Sequence, residues 1–460
     1  MTPLVPIMLF GWVPFTIILF FRLPPHRAVL VSIIGGWLLL PTTGYDLPAI
    51  PPYDKATAIS LGLFLGGRLS GQRRKADFKW KLYDLPMVLW CLSPIPTSLA
   101  NHLGFYDGVS GFYSQVMTWG IPYLAGRIYF KNDDALRDLY MGIVIGGMVY
   151  ALLCLYEIRM SPRLNLNLYG FFAHEWKQHG RFGGWRPIVF MQHGLMVAVW
   201  MAAASSAAFW LWRSRMIEQI KGIPMGLVAT SLIITTLLCK STSGWIALAL
   251  GCGGYFIYRS SKSNRFFLLL ILLVPMYIGA RLTGNMTTDD VSLQAGKIFT
   301  IEQSGSLGIR LEQEDLFAVK ALERPLLGWG GHSRGWPVDP ETGKELIRMV
   351  DSLWIITFSS RGFFGITTWL FGMLIGPWIV LRATSNHRSE NKEKPAMTAI
   401  MLSLIVILFM IDSLVNGMVN LIYIMISGAL TGWYVARKQA KVEERTALQP
   451  RVKGKINVLR

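Results

Sequence analysis

The sequence predicts an all-α, polytopic integral membrane protein: a bundle of about 12–13 transmembrane helices with a large outer loop that contains amphipathic helices. Hydrophobic residues make up 52% of the 460 residues, charged residues only 16%, and the mean hydropathy is +0.40. Apolar runs recur along most of the chain. The basic residues, which give a net charge of +18, stand in short clusters between these runs. Such clusters fix membrane topology, so we expect no nucleic-acid partner.

A spanning helix needs about 20 mostly apolar residues. The chain offers candidate spans near 4–21, 28–43, 57–67, 85–100, 112–129, 140–158, 188–212, 224–239, 243–258, 266–281, 353–381, 397–414 and 418–436. The run 57–67 is the weakest, because it is too short to cross alone. The N-terminal run lacks a basic n-region and a small-residue cleavage site, which predicts a retained span.

The distribution of lysine and arginine predicts the orientation. If the N-terminus faces the periplasm and every candidate crosses, the inner loops and the tail hold about 29 of the 45 basic residues, which satisfies the positive-inside rule. The same distribution predicts a cytoplasmic C-terminus. The predicted units are 1–281, N-terminal spans with the outer loop 159–187; 282–352, a large periplasmic loop; 353–436, C-terminal spans; and 437–460, a partly disordered cytoplasmic tail.

Several kinds of site are not indicated. The four cysteines, Cys91, Cys154, Cys239 and Cys252, fall inside apolar runs without paired spacing, which is typical of packing residues. No phosphate-cradling P-loop and no nucleophile elbow is present. We therefore expect no metal and no cofactor.

The segment 304–335 is polar in an otherwise apolar chain. From Leu307 to Glu323 the apolar residues recur at spacings of three and four, which predicts an amphipathic helix lying against the membrane domain. The helix should end at Pro325. The following glycines, including Gly328 and Gly330, allow tight turns or close approach of the backbone to a ligand.

The outer loop 159–187 and the residues after it hold Arg181, Arg186 and three histidines among glycines and aromatics. A planar guanidinium matches phosphate oxygens, so this cluster is typical of a phosphate or sugar site. An interfacial belt with snorkelling arginines is the alternative. The histidines, His174, His179 and His193, lack metal-ligand spacing. Lys240, at the end of a span, either snorkels or pairs with a ligand, and Ser243 is the best-placed cap of the next helix.

Three stretches in order, KSTSGW, GIRLEQEDLFAVKALERPLLGWGGHSRG and VDSLWIITFSSRGFFG, resemble the O-antigen ligase and O-antigen polymerase family of bacterial envelope enzymes. The resemblance covers about 181–365. It implies a membrane glycosyltransferase acting on glycans carried by undecaprenyl diphosphate at the outer face of the inner membrane. It also implies action without nucleotide sugars and without a metal.

The resemblance further implies roles for individual residues. Arg310 and Arg186, or its neighbour Arg181, would hold the diphosphate leaving group. Asp351 stands where ligases carry a histidine, and it would act as the general base, with His332 as the alternative base. A helix N-cap is the other interpretation of Asp351. The remaining residues predicted to bind substrate are Lys240, Arg324, Gly328, Gly330 and Arg334.

The missing ligase histidine favours a polymerase of lipid-linked repeat units, for an O-antigen or an exopolysaccharide. The alternatives are a ligase that transfers the glycan to another acceptor, a flippase or exporter of the lipid-linked glycan, and a scaffold of an export complex. A flippase should bury charges in mid-span, whereas Arg361 is the main such charge here. The expected partners are the lipid-linked oligosaccharide, membrane lipids and other polysaccharide assembly proteins.

Overall fold

The computed structural model describes residues 1–47, 50–71, 78–181, 183–298, 300–331, 333–339, 341–342, 344, 346, 350–385 and 390–448. In this part the chain is helical almost throughout. The α-helices are Leu4–Arg22, Pro25–Leu30, Gly36–Leu39, Lys55–Leu69, Leu85–Leu92, Pro94–Ala100, Phe105–Gln115, Ile121–Tyr129, Asp133–Met160, Leu164–Tyr169, Gly194–Arg213, Met225–Leu238, Thr242–Ser261, Arg265–Leu282, Thr288–Ile298, Ile301–Leu322, Leu353–Thr384, Glu390–Asp412 and Leu421–Leu448.

Short non-α elements join these helices. Two π-helical stretches, Val31–Gly35 and Val116–Gly120, continue α-helices, and the 3-10 turn Leu82–Asp84 precedes one. A second 3-10 turn, Trp176–His179, precedes the strand Gly180–Arg181. Three small antiparallel hairpins pair Tyr45–Leu47 with Ile50–Tyr53, Gly180–Arg181 with Gly184–Trp185, and Gln219–Ile220 with Ile223–Pro224. The predicted all-α fold class is confirmed.

The chain is a multi-pass membrane protein. Within the described residues, five helices are long and apolar enough to cross a bilayer: Leu4–Arg22, Asp133–Met160, Gly194–Arg213, Arg265–Leu282 and Leu353–Thr384. Shorter apolar helices accompany them, and each predicted span coincides with a helical segment. The weakest candidate is the 15-residue helix Lys55–Leu69. At about 1.5 Å per residue it measures roughly 22 Å, which is less than the hydrocarbon thickness.

The amphipathic loop helix predicted from Leu307 to Glu323 is the helix Ile301–Leu322. Its buried face carries Leu311, Glu314, Phe317 and Ala321, each at most 1% exposed, at the spacing of one helical face. This face packs against the N-terminal part of the helix Leu353–Thr384, which follows the loop and is called the return helix below.

The return helix is broken at Gly362, which has a positive φ of 61°. The segment after Pro325 lies against the break and supplies the missing hydrogen bonds. Phe363 N–H donates to the Pro325 carbonyl (2.7 Å), and Trp329 N–H donates to the Ser359 carbonyl (2.9 Å). Backbone polar groups freed inside a membrane protein must find such partners, because lipid offers none.

The last helix continues beyond the predicted end of the membrane domain. The tail was expected to begin at 437, yet the helix Leu421–Leu448 runs through the first part of it. The sequence QAKVEERTAL suits a helix, because its straight-chain residues and alanines lose little side-chain freedom there. Residues 449–460, the rest of the predicted tail, lie outside the described residues.

Candidate functional site

A cavity of about 440 Å³ lies between the two polar segments that were predicted to lie outside the membrane. Arg181, Arg186 and His193 line it from the first segment, and Arg310 and Asp351 from the second. The other lining residues are His174, Gln178, Gln192, Leu195, Ser306, Ile309, Gln313, Val350, Gly417 and Met418. Residues separated by more than a hundred positions therefore form one polar cavity.

Arg310 and Asp351 form an ion pair across this cavity. Arg310 Nε donates to Asp351 Oδ2 at 2.9 Å, and the two side chains are 21% and 38% exposed. The N-cap interpretation of Asp351 is wrong, because Ser352 holds the N-cap position of the return helix. An ion pair with this much solvent access contributes little to stability, so its main effect is on where the Arg310 guanidinium lies in the cavity.

Arg186 lines the cavity from the first polar segment and is held by hydrogen bonds and packing. Its side chain is buried, and Nη2 donates to the carbonyl oxygen of Lys240 at 2.9 Å, with Nε at 3.3 Å from the same atom. Its backbone N–H donates to the His179 carbonyl at 2.8 Å. The methylene groups of Arg186 pack against Gly194, where an added Cβ would overlap them. The guanidinium is thereby fixed at the cavity wall, while Arg181 lies in the adjacent hairpin.

Three imidazole rings, those of His174, His179 and His193, meet beside these arginines. The ring centroid of His174 is 4.7 Å from that of His193 and 5.5 Å from that of His179. Burial lowers the pKa of His179 to about 4 and that of His193 to about 2, and neighbouring His174 and Arg186 act in the same direction. His179 and His193 are therefore neutral at pH 7. Nowhere in the described part of the chain is a group of three or more His, Cys, Asp or Glu residues placed to hold a metal ion.

Glu157 organises the arginine-containing loop, and the sequence analysis did not single it out. Its carboxylate, 1% exposed, accepts backbone N–H groups from Ile188 and Val189, both at 2.8 Å, and from Leu164 at 2.9 Å. Both ends of the loop are thus tied to one side chain. The sequence signal that could have identified it is an acidic residue near the end of an apolar span.

Glu314 anchors the loop helix in a similar way. It accepts hydrogen bonds from Tyr277 Oη (2.9 Å), Trp354 Nε1 (3.1 Å), Arg281 Nε (3.3 Å) and the Ser352 hydroxyl. Burial raises the pKa of the Glu314 carboxyl, although these donors oppose the shift. Because Arg310 lies one turn before Glu314, the anchor fixes where Arg310 enters the cavity.

The other residues predicted to bind substrate lie outside the cavity lining. Arg324 Nη1 donates to Asn101 Oδ1, and its guanidinium lies 4.2 Å from the Trp329 ring centroid. Arg334 Nη1 is 3.8 Å from Asp107 Oδ2. These groups gather where the segment after Pro325 meets the helices Pro94–Ala100 and Phe105–Gln115.

The two glycines of that segment have a packing role. Gly328 has a φ of 68°, and an added Cβ would overlap the backbone of Arg361. Gly330 has a φ of 90°, and an added Cβ would come within 2.7 Å of Leu103. Glycine is needed at these positions because the backbone closely approaches the broken return helix and Leu103, which lies between the helices Pro94–Ala100 and Phe105–Gln115. His332, the alternative base, lies outside the described residues.

Lys240 lies against the segment that carries Arg181 and Arg186. Its backbone oxygen accepts from Arg186, and its side chain packs against Gly184 of the arginine hairpin. The cap expected at Ser243 is at Ser241 instead, whose hydroxyl accepts from Gly244 N–H at 3.4 Å. Ser241 has extended backbone angles before the helix begins at Thr242, which is what an N-cap requires.

The cavity is electropositive. Three arginine side chains line it against one carboxylate, Asp351, while His193 at its wall is neutral. Guanidinium groups at fixed positions suit phosphate oxygens better than they suit neutral sugars. The arrangement favours an anionic ligand that carries a diphosphate or a similar group.

Comparison with known proteins agrees with this geometry. No curated protein matches the chain. A family model described as O-antigen ligase matches residues 225–370, a stretch that contains Lys240, Arg310, Asp351 and Gly362. Residues 225–370 are thus similar to the O-antigen ligase family, which supports a relation of this chain to proteins of the O-antigen ligase and polymerase type.

Proposed function

We propose that this protein polymerises oligosaccharide repeat units carried on undecaprenyl diphosphate, to build an O-antigen or an exopolysaccharide at the periplasmic face of the inner membrane. The observation that carries the proposal is the convergence of Arg181, Arg186 and Arg310 on one cavity. The family match supports glycan transfer, and the electropositive lining fits a diphosphate donor.

In the proposed reaction an acceptor hydroxyl attacks C1 of the donor sugar, and the bond from C1 to the phosphate oxygen breaks. The electron pair leaves with the lipid diphosphate, so negative charge builds on the leaving group. Arg186 and Arg310 are placed to offset that charge, and their fixed positions avoid reorganisation during the reaction. A single displacement of this kind inverts the configuration at C1.

A ligase is the second candidate, because the matched family model is described as O-antigen ligase. Ligases carry histidine followed by asparagine where this chain has Asp351 and Ser352. Ser352 is occupied in anchoring Glu314, and Asp351 pairs with Arg310. The absence of the ligase pair from the sequence favours polymerase activity.

The lipid-linked oligosaccharides of cells that lack this protein distinguish the candidates. A polymerase leaves single repeat units on the lipid carrier at the outer leaflet. A ligase leaves long lipid-linked polymer, and a flippase leaves units on the cytoplasmic leaflet. Only the first profile agrees with the proposal.

Arg310→Ala in the same cells tests the cavity. Removal of one transition-state donor costs about 10²–10³ in rate, so the polysaccharide should shorten or disappear although the protein still reaches the membrane. Arg159→Ala is the matched control, since Arg159 is exposed at the end of its helix and does not line the cavity. Normal chain length in the Arg310 variant would contradict the proposed site.

A further inference from the structure

We infer that His174 is the general base of the glycosyl transfer, and that Asp351 positions Arg310 instead of taking the proton. The inference rests on the proposed function and deepens it. In the step, the acceptor hydroxyl oxygen bonds to C1 of the donor sugar and its proton passes to the His174 imidazole. The lipid diphosphate leaves with the electron pair of the broken C1 to oxygen bond, and the imidazolium later returns its proton to water.

The lining residues narrow the choice of base. His174, His193 and Asp351 are the acids and bases in the lining that accept a proton readily. The arginines stay charged and the glutamine amides do not titrate. Asp412 interacts electrostatically with Arg310, but it accepts a hydrogen bond from Asn416 at 2.6 Å and does not line the cavity.

Two of the three candidates are occupied. Asp351 Oδ2 accepts from Arg310 Nε at 2.9 Å, and proton uptake by the carboxylate would weaken the ion pair that holds this arginine. His193 Nδ1 accepts the backbone N–H of Leu195 at 3.1 Å at the start of the helix Gly194–Arg213. That bond places the ring proton on Nε2, so neutral His193 can donate a hydrogen bond but has no second acceptor nitrogen.

His174 is placed differently. The residue is half-buried in the cavity wall, and its Nδ1 atom is buried and makes no hydrogen bond to any residue that the structure describes. No hydrogen bond at Nδ1 therefore fixes which ring nitrogen carries the proton. The charged and titratable groups around it are His179 and His193 beside its ring, and Arg181, Arg186, Arg310 and Asp351 across the cavity. An imidazole between diphosphate-binding arginines and open cavity space suits an acceptor hydroxyl.

The test uses the full-length protein purified in detergent, with lipid-linked oligosaccharide extracted from cells that lack the protein. His174→Ala should lower the rate of chain extension by about 10²–10⁴, the usual contribution of a general base. Added imidazole should restore part of that rate. Binding of undecaprenyl diphosphate, the released product, should stay unchanged, because the arginines are untouched. His102→Asn, an exposed histidine outside the cavity, is the control and should behave as wild type.

Each outcome is decisive. Lost extension with retained product binding and imidazole rescue supports the assignment. Extension at the wild-type rate overturns it, and so does a loss that imidazole does not rescue, whether or not product binding survives. Failure of the proposed function is recognised separately, because wild-type protein would then neither extend the extracted substrate nor bind undecaprenyl diphosphate.

Discussion

Glu157→Gln should detach the arginine-containing loop with little change elsewhere. The carboxylate holds three backbone N–H groups at 2.8–2.9 Å inside a site that is 1% exposed. A glutamine oxygen can still accept the hydrogen bonds from Ile188 and Val189, but these bonds would no longer involve a charged acceptor. The glutamine NH₂ group would then face Leu164 N–H, and since both groups are donors this hydrogen bond would be lost.

The magnitude follows from these bonds. A hydrogen bond to a charged group contributes about 1.5–3 kcal/mol and a neutral one about 0.5–1.5 kcal/mol. One charged bond is lost and two become neutral, so the loop should lose roughly 3.5–6 kcal/mol. Arg186 stands two residues before Ile188, and the loss should therefore displace it from the cavity and abolish chain extension.

Thermal unfolding of the purified protein, together with the chain-extension assay, checks this prediction. Glu175→Gln is the matched control: the same substitution in the same loop, at an exposed residue whose partner is Gln178. The Glu157 variant should have a lower midpoint temperature and no extension, and the Glu175 variant should match wild type. Equal midpoints and equal extension in the two variants would refute the hydrogen-bond reasoning.

Two further substitutions test the frame of the site. Gly328→Ala should prevent folding or lower the free energy of unfolding by more than about 4 kcal/mol, because φ is positive and the added Cβ would overlap the Arg361 backbone. Gly331→Ala is the control, because an added Cβ there meets no atom within 4 Å. Similar expression and melting temperatures of the two variants would contradict the packing role of Gly328. Glu314→Leu should lower the free energy of unfolding by about 3–5 kcal/mol, because the buried Arg281 loses one of its two carboxylate partners. An unchanged melting temperature in detergent would be inconsistent with the anchoring role of Glu314.

Much of the fold could be predicted from the sequence, because bilayer thickness and hydrophobic periodicity act on consecutive residues. Each candidate span falls mainly on helical residues, although some, such as 85–100, consist of two helices. The loop helix ends one residue before the predicted Glu323, but it begins at Ile301, before the predicted Leu307. Single capping positions were less predictable. The N-cap was predicted at Ser243 but is Ser241, since the position of the cap depends on where the backbone changes from extended to helical.

The site was predictable only in part. Arginines between glycines in two polar segments pointed to Arg186 and Arg310, and both line the cavity. Arg324 and Arg334 have the same appearance in the sequence, yet they lie against Asn101 and Asp107. Which arginines share a cavity depends on the packing of distant helices, and residue type carries no information about that.

The sequence by itself determined an all-α membrane bundle, its polar segments and a likeness to one glycan-processing family, because these follow from composition, periodicity and local motifs. Only the tertiary structure determined which groups form ion pairs and hydrogen bonds. Asp351 pairs with Arg310, Arg186 donates to the Lys240 carbonyl, and three backbone N–H groups donate to Glu157. Hydrogen bonds and ion pairs depend on distances of about 3 Å between residues far apart in the chain. Only the packing of the helices sets those distances.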